Sequence, residues 1–245
     1  MGRPLLIIGA GGFARETADA VRAVAAAGGA YELAGFLDDD PVLRGAAIAG
    51  SEVLGPVDAI TDHPDAAVVV CVGRPGAYTA RRAIVSRLSL PAERYATIVH
   101  PSCSIGSTCA VGVGSVLLAQ VALTADVTVG DHVAVMPQVV LTHDVHIDDF
   151  ATLASGVRLG GGVHVGTGAY VASGVSVREG LRIGPWAMVG MGSLVTRDVP
   201  AERLWFGSPA RDVRRAPLPW PAAGIWNEIP AETLDLLPST AQEAS

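Results

Sequence analysis

The stretch Leu159–Val177, LGGGVHVGTGAYVASGVSV, returns an aliphatic residue at every sixth position: Leu159, Val165, Val171 and Val177. Helices repeat near 3.6 residues and strands near 2, so neither alone explains a period of six. The phase extends both ways. Stepping by six from Val99 to Val195 meets seventeen positions, and all are Ile, Leu or Val. The position four further on is also small or aliphatic, from Cys103, Cys109 and Ser115 through Val133, Val145 and Val163 to Val199.

Such phasing predicts a solenoid of short parallel strands. Two inward side chains two residues apart follow the pleat, and the rest of each hexad turns a corner suited to residues of unusual backbone conformation. Three hexads make one triangular coil, so residues eighteen apart are expected to stack at about 4.8 Å. This hexapeptide repeat resembles the left-handed parallel β-helix of acyltransferases, and the hand comes from that resemblance.

The first ninety residues follow another pattern. PLLIIGAGGFARETADAVRAV reads as a buried strand, a glycine-rich turn and an amphipathic helix. Strands are expected in YELAGFLDDD, near Ala47–Val53 and in DAAVVVCVG, with a helix over Arg74–Leu90. Alternation of this kind predicts a small Rossmann-like α/β domain. Gly9, Gly11 and Ala14 fit the G-x-G-x-x-G/A pattern between strand and helix, a context for a phosphate at a helix N-terminus. Asp38 and Asp39 end the next strand, where carboxylates can accept hydrogen bonds from ribose or base. The domain is too short for two mononucleotide halves, which argues against a dinucleotide. The expected boundaries are 1–95 for this domain, 96–214 for the solenoid and 215–245 for a C-terminal extension, in which Trp220 and Trp226 are expected to pack back and Ser239–Ser245 to fray.

Composition narrows the class. Among 245 residues, half are hydrophobic, 5% are aromatic and the net charge is −7 with every basic residue an arginine. There is no basic stripe for nucleic acid, no apolar run long enough to span a membrane and no signal peptide, so a cytoplasmic location is expected. Cys71, Cys103 and Cys109 lack metal or disulfide spacing. Cys103 and Cys109 keep step with the repeat and read as inward core residues.

The histidines are the candidates for chemistry, because acyl transfer from a thioester needs a base near neutral pH. His143 stands at the third, outward place of its hexad, and Asp144 follows to orient and stabilise the imidazole; a solvated corner pair is the competing reading. His146, His164 and Arg182, each eighteen apart, are expected to form an outward stripe belonging to surface or subunit interface. His132 has nothing to distinguish it from a surface residue, His100 reads as a linker or cap, and His63 has no role. His143, His146 and His164 lack the spacing of a three-histidine metal site, so no metal is expected.

GAGGFARE, FLDDD, the hexad array, LTHDVHIDDFATLASGV and GSPARDV together resemble the NeuD/PglD-type family of sugar acetyltransferases over about residues 4 to 214. The resemblance implies an acetyl-CoA-dependent N-acetyltransferase acting on a nucleotide-linked amino sugar, with His143 as general base and Asp144 its partner. It implies a nucleotide-sugar against Gly11, Gly12, Phe13, Asp38, Asp39 and Gly73. It implies acetyl-CoA in a cleft between subunits of a homotrimer, near Thr152, Gly161, Ser173 and Met191. Thr152 stands where some relatives have a second histidine, Met191 where glycine is expected, and Phe13 and Arg15 where relatives often carry His or Lys. The alternatives are O-acetylation of a sugar hydroxyl and a non-catalytic, nucleotide-binding trimeric scaffold.

Overall fold

The computed structural model describes residues 2–73 and 77–216. The expectations for Arg74, Trp220, Trp226 and Ser239–Ser245 fall outside those residues. The first domain runs β1 (Arg3–Ile8), α1 (Gly12–Ala26), β2 (Tyr31–Leu37), β3 (Ala47–Ile48), β4 (Ser51–Gly55), β5 (Ala67–Val70) and α2 (Ala80–Leu88). Its sheet has the order β3-β4-β2-β1-β5, parallel except for the β3–β4 hairpin. Central β1 is apolar on both sides because both are covered: Leu5 and Ile7 join one core, Leu6 and Ile8 the other. Gly9 follows at φ +99°, where a side chain would also meet Val72 Cγ2 at 2.9 Å, so the turn into α1 requires glycine.

The hexads form a three-faced prism of two-residue strands in parallel register. Ala122 pairs with Ser104 and Val140, Thr128 with Ala110 and His146, Ala134 with Val116 and Thr152. Each partner lies eighteen residues away, so one coil is three hexads. From Leu117 onward both inward positions of every hexad are buried, and they form one continuous column. Ile105, in the first coil, is 38% exposed because no coil lies beneath it. Cys103 and Cys109 are half-buried against the column.

The corners obey a rule that composition hides. Every sixth residue from Gly114 to Gly192 has a positive φ: seven are glycines, and Gln120, Asp126, His132, Gln138, Asp144, Phe150 and Trp186 lie at +54° to +64°. That region costs an ordinary L-residue about 1–2 kcal/mol, so a non-glycine there is maintained by the stacked coils. Asp144 is one of these residues.

In chain order the prism has a covered face (outward residues Ile98, Val116, Ala134, Thr152, Tyr170, Met188), a small-residue face (Ser104, Ala122, Val140, Arg158, Ser176, Leu194) and a histidine face (Ala110, Thr128, His146, His164, Arg182). The first domain sits on the covered face, where Ile98, Val116 and Leu118 complete one of its cores. Around α2 the docking is polar as well. Tyr78 donates its hydroxyl to Trp186 O at 3.1 Å, and its ring meets Tyr170 edge-on with centroids 6.1 Å apart. An antiparallel hairpin, Arg203–Gly207 with Ala210–Arg215, ends the covered face. Among the described residues no helix is long and apolar enough to cross a membrane.

Candidate active site

A cavity of about 710 Å³ lies where the glycine turn meets the covered face. From the first domain come Gly11, Gly12, Phe13, Asp38, Asp40 and Gly73; from the prism come Met136, Thr152, Ala154, Ser155, Tyr170 and Ser173. Helix α1 opens here with no capping side chain and no acidic residue in its first turn. Its first amides and the positive end of its dipole therefore face the cavity without an internal anion, which suits a phosphate group. Asp38 braces the turn: Oδ2 accepts from Ala10 N at 2.8 Å and Oδ1 from Asp40 N at 2.9 Å. Asp39 alternates to the other side, accepting from Val57 N and from Arg87 at 2.9 Å. Those bonds lower its pKa against the opposing effect of burial. Thus, of the sequence-chosen pair, Asp38 lines the cavity with Asp40, and Asp39 secures the loop beside Val57.

Thr152 is 5% exposed and held by the most unusual charge in the molecule. Arg81, from α2, is 1% exposed and makes no salt bridge among the described residues. It donates Nε to His132 O at 2.7 Å, Nη1 to Val72 O at 3.1 Å, and Nη2 to Phe150 O, Ala151 O and Thr152 Oγ1 at 2.8–3.0 Å. Burial pushes its pKa down to about 10, so it remains a cation at neutral pH. Sequence reading passed over Arg81, because nothing local separates it from neighbouring Arg82. Cys71 also borders the cavity, but burial pushes its thiol up to about 12, leaving no thiolate for covalent catalysis at neutral pH.

His132 corrects an expectation. Its ring is 7% exposed, stacked on Phe150 at 5.2 Å and edge-on to Tyr95 at 4.7 Å. Desolvation lowers its pKa, with Asp131 opposing. The corner twist turns it under the first domain, a placement the hexad pattern does not encode. His100 holds a local turn, its Nδ1 taking the Ser102 amide at 3.1 Å.

His143 and Asp144 occupy a different edge, between the small-residue and histidine faces. Nδ1 lies 2.8 Å from Asp144 Oδ2, and the side chains are 69% and 65% exposed. The carboxylate selects the Nδ1–H tautomer and leaves the Nε2 lone pair facing outward. The ring lies across Gly161 one coil on, where a Cβ would stand 2.5 Å from Nε2. Neither His143, Asp144, Gly161, Met191 nor Asp39 lines the cavity. Met191, 55% exposed, continues the edge of Ser155 and Ser173. The predicted set therefore divides between two edges separated by the whole small-residue face.

The expected stripe is present on the histidine face: His146 pairs with His164 and His164 with Arg182. Both histidine Nε2 atoms converge on Asp148 Oδ1, at 3.1 and 3.0 Å, and Arg182 approaches His164 Nδ1 at 3.5 Å. A guanidinium donating to Nδ1 leaves the proton on Nε2, so the cluster is complete as a hydrogen-bonded network.

Residues 4–88 match the PglD N-terminal domain family. No curated protein sequence matches the chain. Among solved structures, a variant of perosamine N-acetyltransferase from Caulobacter crescentus, in complex with CoA and GDP-perosamine, is 26% identical, covering 86% of this chain and 96% of its own at a TM-score of 0.75. The acetyltransferase domain of PglB from Neisseria gonorrhoeae, in complex with acetyl coenzyme A, is 25% identical over 87% of this chain and all of its own, with a TM-score of 0.77. WeeI from Acinetobacter baumannii is 27% identical, covering 85% and 99%, with a TM-score of 0.72. These likenesses run through both parts of the molecule and define the prism as a left-handed parallel β-helix behind a small α/β domain. Residues 4–88 thus belong to the PglD N-terminal domain family, and the chain as a whole, with its hexapeptide prism, is similar to the NeuD/PglD-type sugar acetyltransferases.

Proposed function

We propose that the protein is a cytoplasmic, acetyl-CoA-dependent N-acetyltransferase that acylates the amino group of a nucleotide-linked amino sugar. The nucleotide-sugar lies against the first domain, residues 1–95, with its diphosphate at the open amides of α1 and its sugar toward the prism. His143 Nε2 takes a proton from the amine as nitrogen bonds to the acyl carbon. The C–S bond then breaks, and the leaving CoA thiolate recovers that proton. Asp144 stabilises the imidazolium between these steps. Holding both substrates in one cleft supplies the orientation, worth up to about 7–11 kcal/mol in well-aligned reactions.

The observation that carries this reading is the division of the site between two edges of one prism. Three prisms turning their small-residue faces to a common axis bring the His143 edge of each beside the cavity edge of the next. The outward residues of that face support this: Ser104, Ala122, Val140, Ser176 and a 41%-exposed Leu194 are small or aliphatic, and the exposed Arg158 is the one charge among them. Acetyl-CoA then runs between Gly161 beside the base and Thr152, Ser173 and Met191 of the adjoining protomer. The experiment is thiol release with His143→Ala, which keeps a trimer but loses kcat by about 10²–10⁴-fold; near-normal turnover, or a monomer in solution, overturns the reading.

A further inference from the structure

The histidine face carries a group of side chains that acyl transfer leaves unused. His146 and His164 are register partners in adjacent coils, and their rings stand edge-on with centroids 5.0 Å apart. Both Nε2 atoms meet one atom, Asp148 Oδ1, at 3.1 and 3.0 Å. A divalent ion about 2.1 Å from nitrogen and oxygen ligands holds those ligands about 3.0–3.4 Å from one another, so both gaps already suit an ion. All three donor atoms lie within 4.8 Å of one another. None of the three residues borders the cavity, and His143 is engaged with Asp144 at a corner of its own. A carboxylate thus stands where a three-histidine site would need His143.

The prism holds these donors firmly. The amides of His146, Asp148 and His164 donate to the carbonyls of Val163, Val165 and Leu181 at 2.8–3.0 Å, and the intervening Ile147 and Val165 are buried in the column. Ligands carried on regular elements keep their geometry better than ligands on loops. The side chains of Asp148 and His164 are 28% and 34% exposed, sheltered yet within reach of solvent.

We propose that His146 Nε2, His164 Nε2 and Asp148 Oδ1 bind a divalent transition-metal ion of the zinc class, with water completing its coordination. Two imidazoles and a carboxylate suit such an ion, whereas Mg²⁺ and Ca²⁺ take sets of oxygens. The hydrogen-bonded network is the metal-free form, in which two N–H groups share one carboxylate oxygen. The ion takes the place of both protons. Each neutral imidazole keeps its single proton, which passes through water from Nε2 to Nδ1. His164 Nδ1 then no longer accepts from Arg182, whose 3.5 Å contact is at the limit of a hydrogen bond and whose exposed side chain can swing outward. Because the ligands come from two adjacent coils, the bound ion clips those coils together and favours the folded chain. The site is independent of the acyl-transfer chemistry.

The experiment is calorimetric titration of the untagged full-length chain with Zn²⁺, paired with absorption spectroscopy of the Co²⁺ form. The expected result is a single ion per chain, Co²⁺ d–d bands in the visible, and a Tm that rises with Zn²⁺ concentration. His164→Asn and Asp148→Asn should weaken binding by about 10²-fold or more, with circular dichroism like that of the wild type, since neither side chain belongs to the buried column. Should either fail to fold, His146→Asn, at the most exposed of the three positions, gives the same readout. His143→Asn should bind Zn²⁺ as the wild type does, and Arg182→Ala should bind it more tightly because the opposing charge is gone. Absence of binding at millimolar Zn²⁺ overturns the proposal. So does wild-type affinity in folded His164→Asn or Asp148→Asn, or loss of binding in His143→Asn.

Discussion

Gly161→Ala tests whether the imidazole of His143 is the working group, because the substitution touches that ring and little else. A Cβ at 161 would stand 2.4 Å from Cε1, 2.5 Å from Nε2 and 3.0 Å from Nδ1 of His143. Carbon contacts settle at about 3.5–4.0 Å, so the ring must withdraw by about 1 Å. It cannot do so in place, because Nδ1 is held 2.8 Å from Asp144 Oδ2 and Asp144 sits at φ +61° in a fixed corner. Withdrawal breaks that bond and turns Nε2 from its path. A misplacement near 1 Å can cost about 10²-fold in rate, while a substitution at this half-buried surface position costs the fold only about 0.5 kcal/mol or less. Thiol release at saturating acetyl-CoA and acceptor should therefore show kcat down roughly 100-fold with Tm nearly unchanged. Gly160→Ala is the contrast: its Cβ would meet backbone, Glu179 N at 2.6 Å, and it should unfold the local coils. A Gly161→Ala enzyme with wild-type kcat would refute the placement of the base, and a change in the acetyl-CoA KM alone would assign Gly161 to the coenzyme instead.

The two neighbouring aspartates should separate by function. Asp38→Ala frees the Ala10 amide and should weaken nucleotide-sugar binding about tenfold or more by calorimetry, since a charge-assisted hydrogen bond contributes about 1.5–3 kcal/mol. Asp39→Ala, which loses Val57 N and Arg87, should lower Tm and leave that affinity intact. His132 should give an acid-sensitive fold. Its native pKa lies below the ordinary histidine value of 6.5, so the unfolded chain takes up the proton first. The stabilisation is then complete above pH 6.5 and is lost as pH falls from there through the native pKa. Urea midpoints across that window should fall in the wild type and stay flatter in His132→Asn, whose side chain tolerates the left-handed corner.

A period of six sustained from Val99 to Val195 was enough to specify the prism, its eighteen-residue register and its buried column, because a repeating unit contacts only its copies above and below. The strand, glycine turn and helix of GAGGFARE were legible for the same local reason, and so were the outward pair His143–Asp144 and the histidine stripe. What depended on docking was not legible. The burial of His132 and the selection of Asp38 over Asp39 for the cavity arise where the first domain meets the prism, across contacts distant in sequence. Arg81 shows this most plainly: an ordinary arginine on a short helix becomes a buried cation only because carbonyls of residues 132, 150 and 151 close around it. Repetition determined the scaffold from within the chain, whereas the surroundings of individual charges were decided by which face of that scaffold the other domain covered.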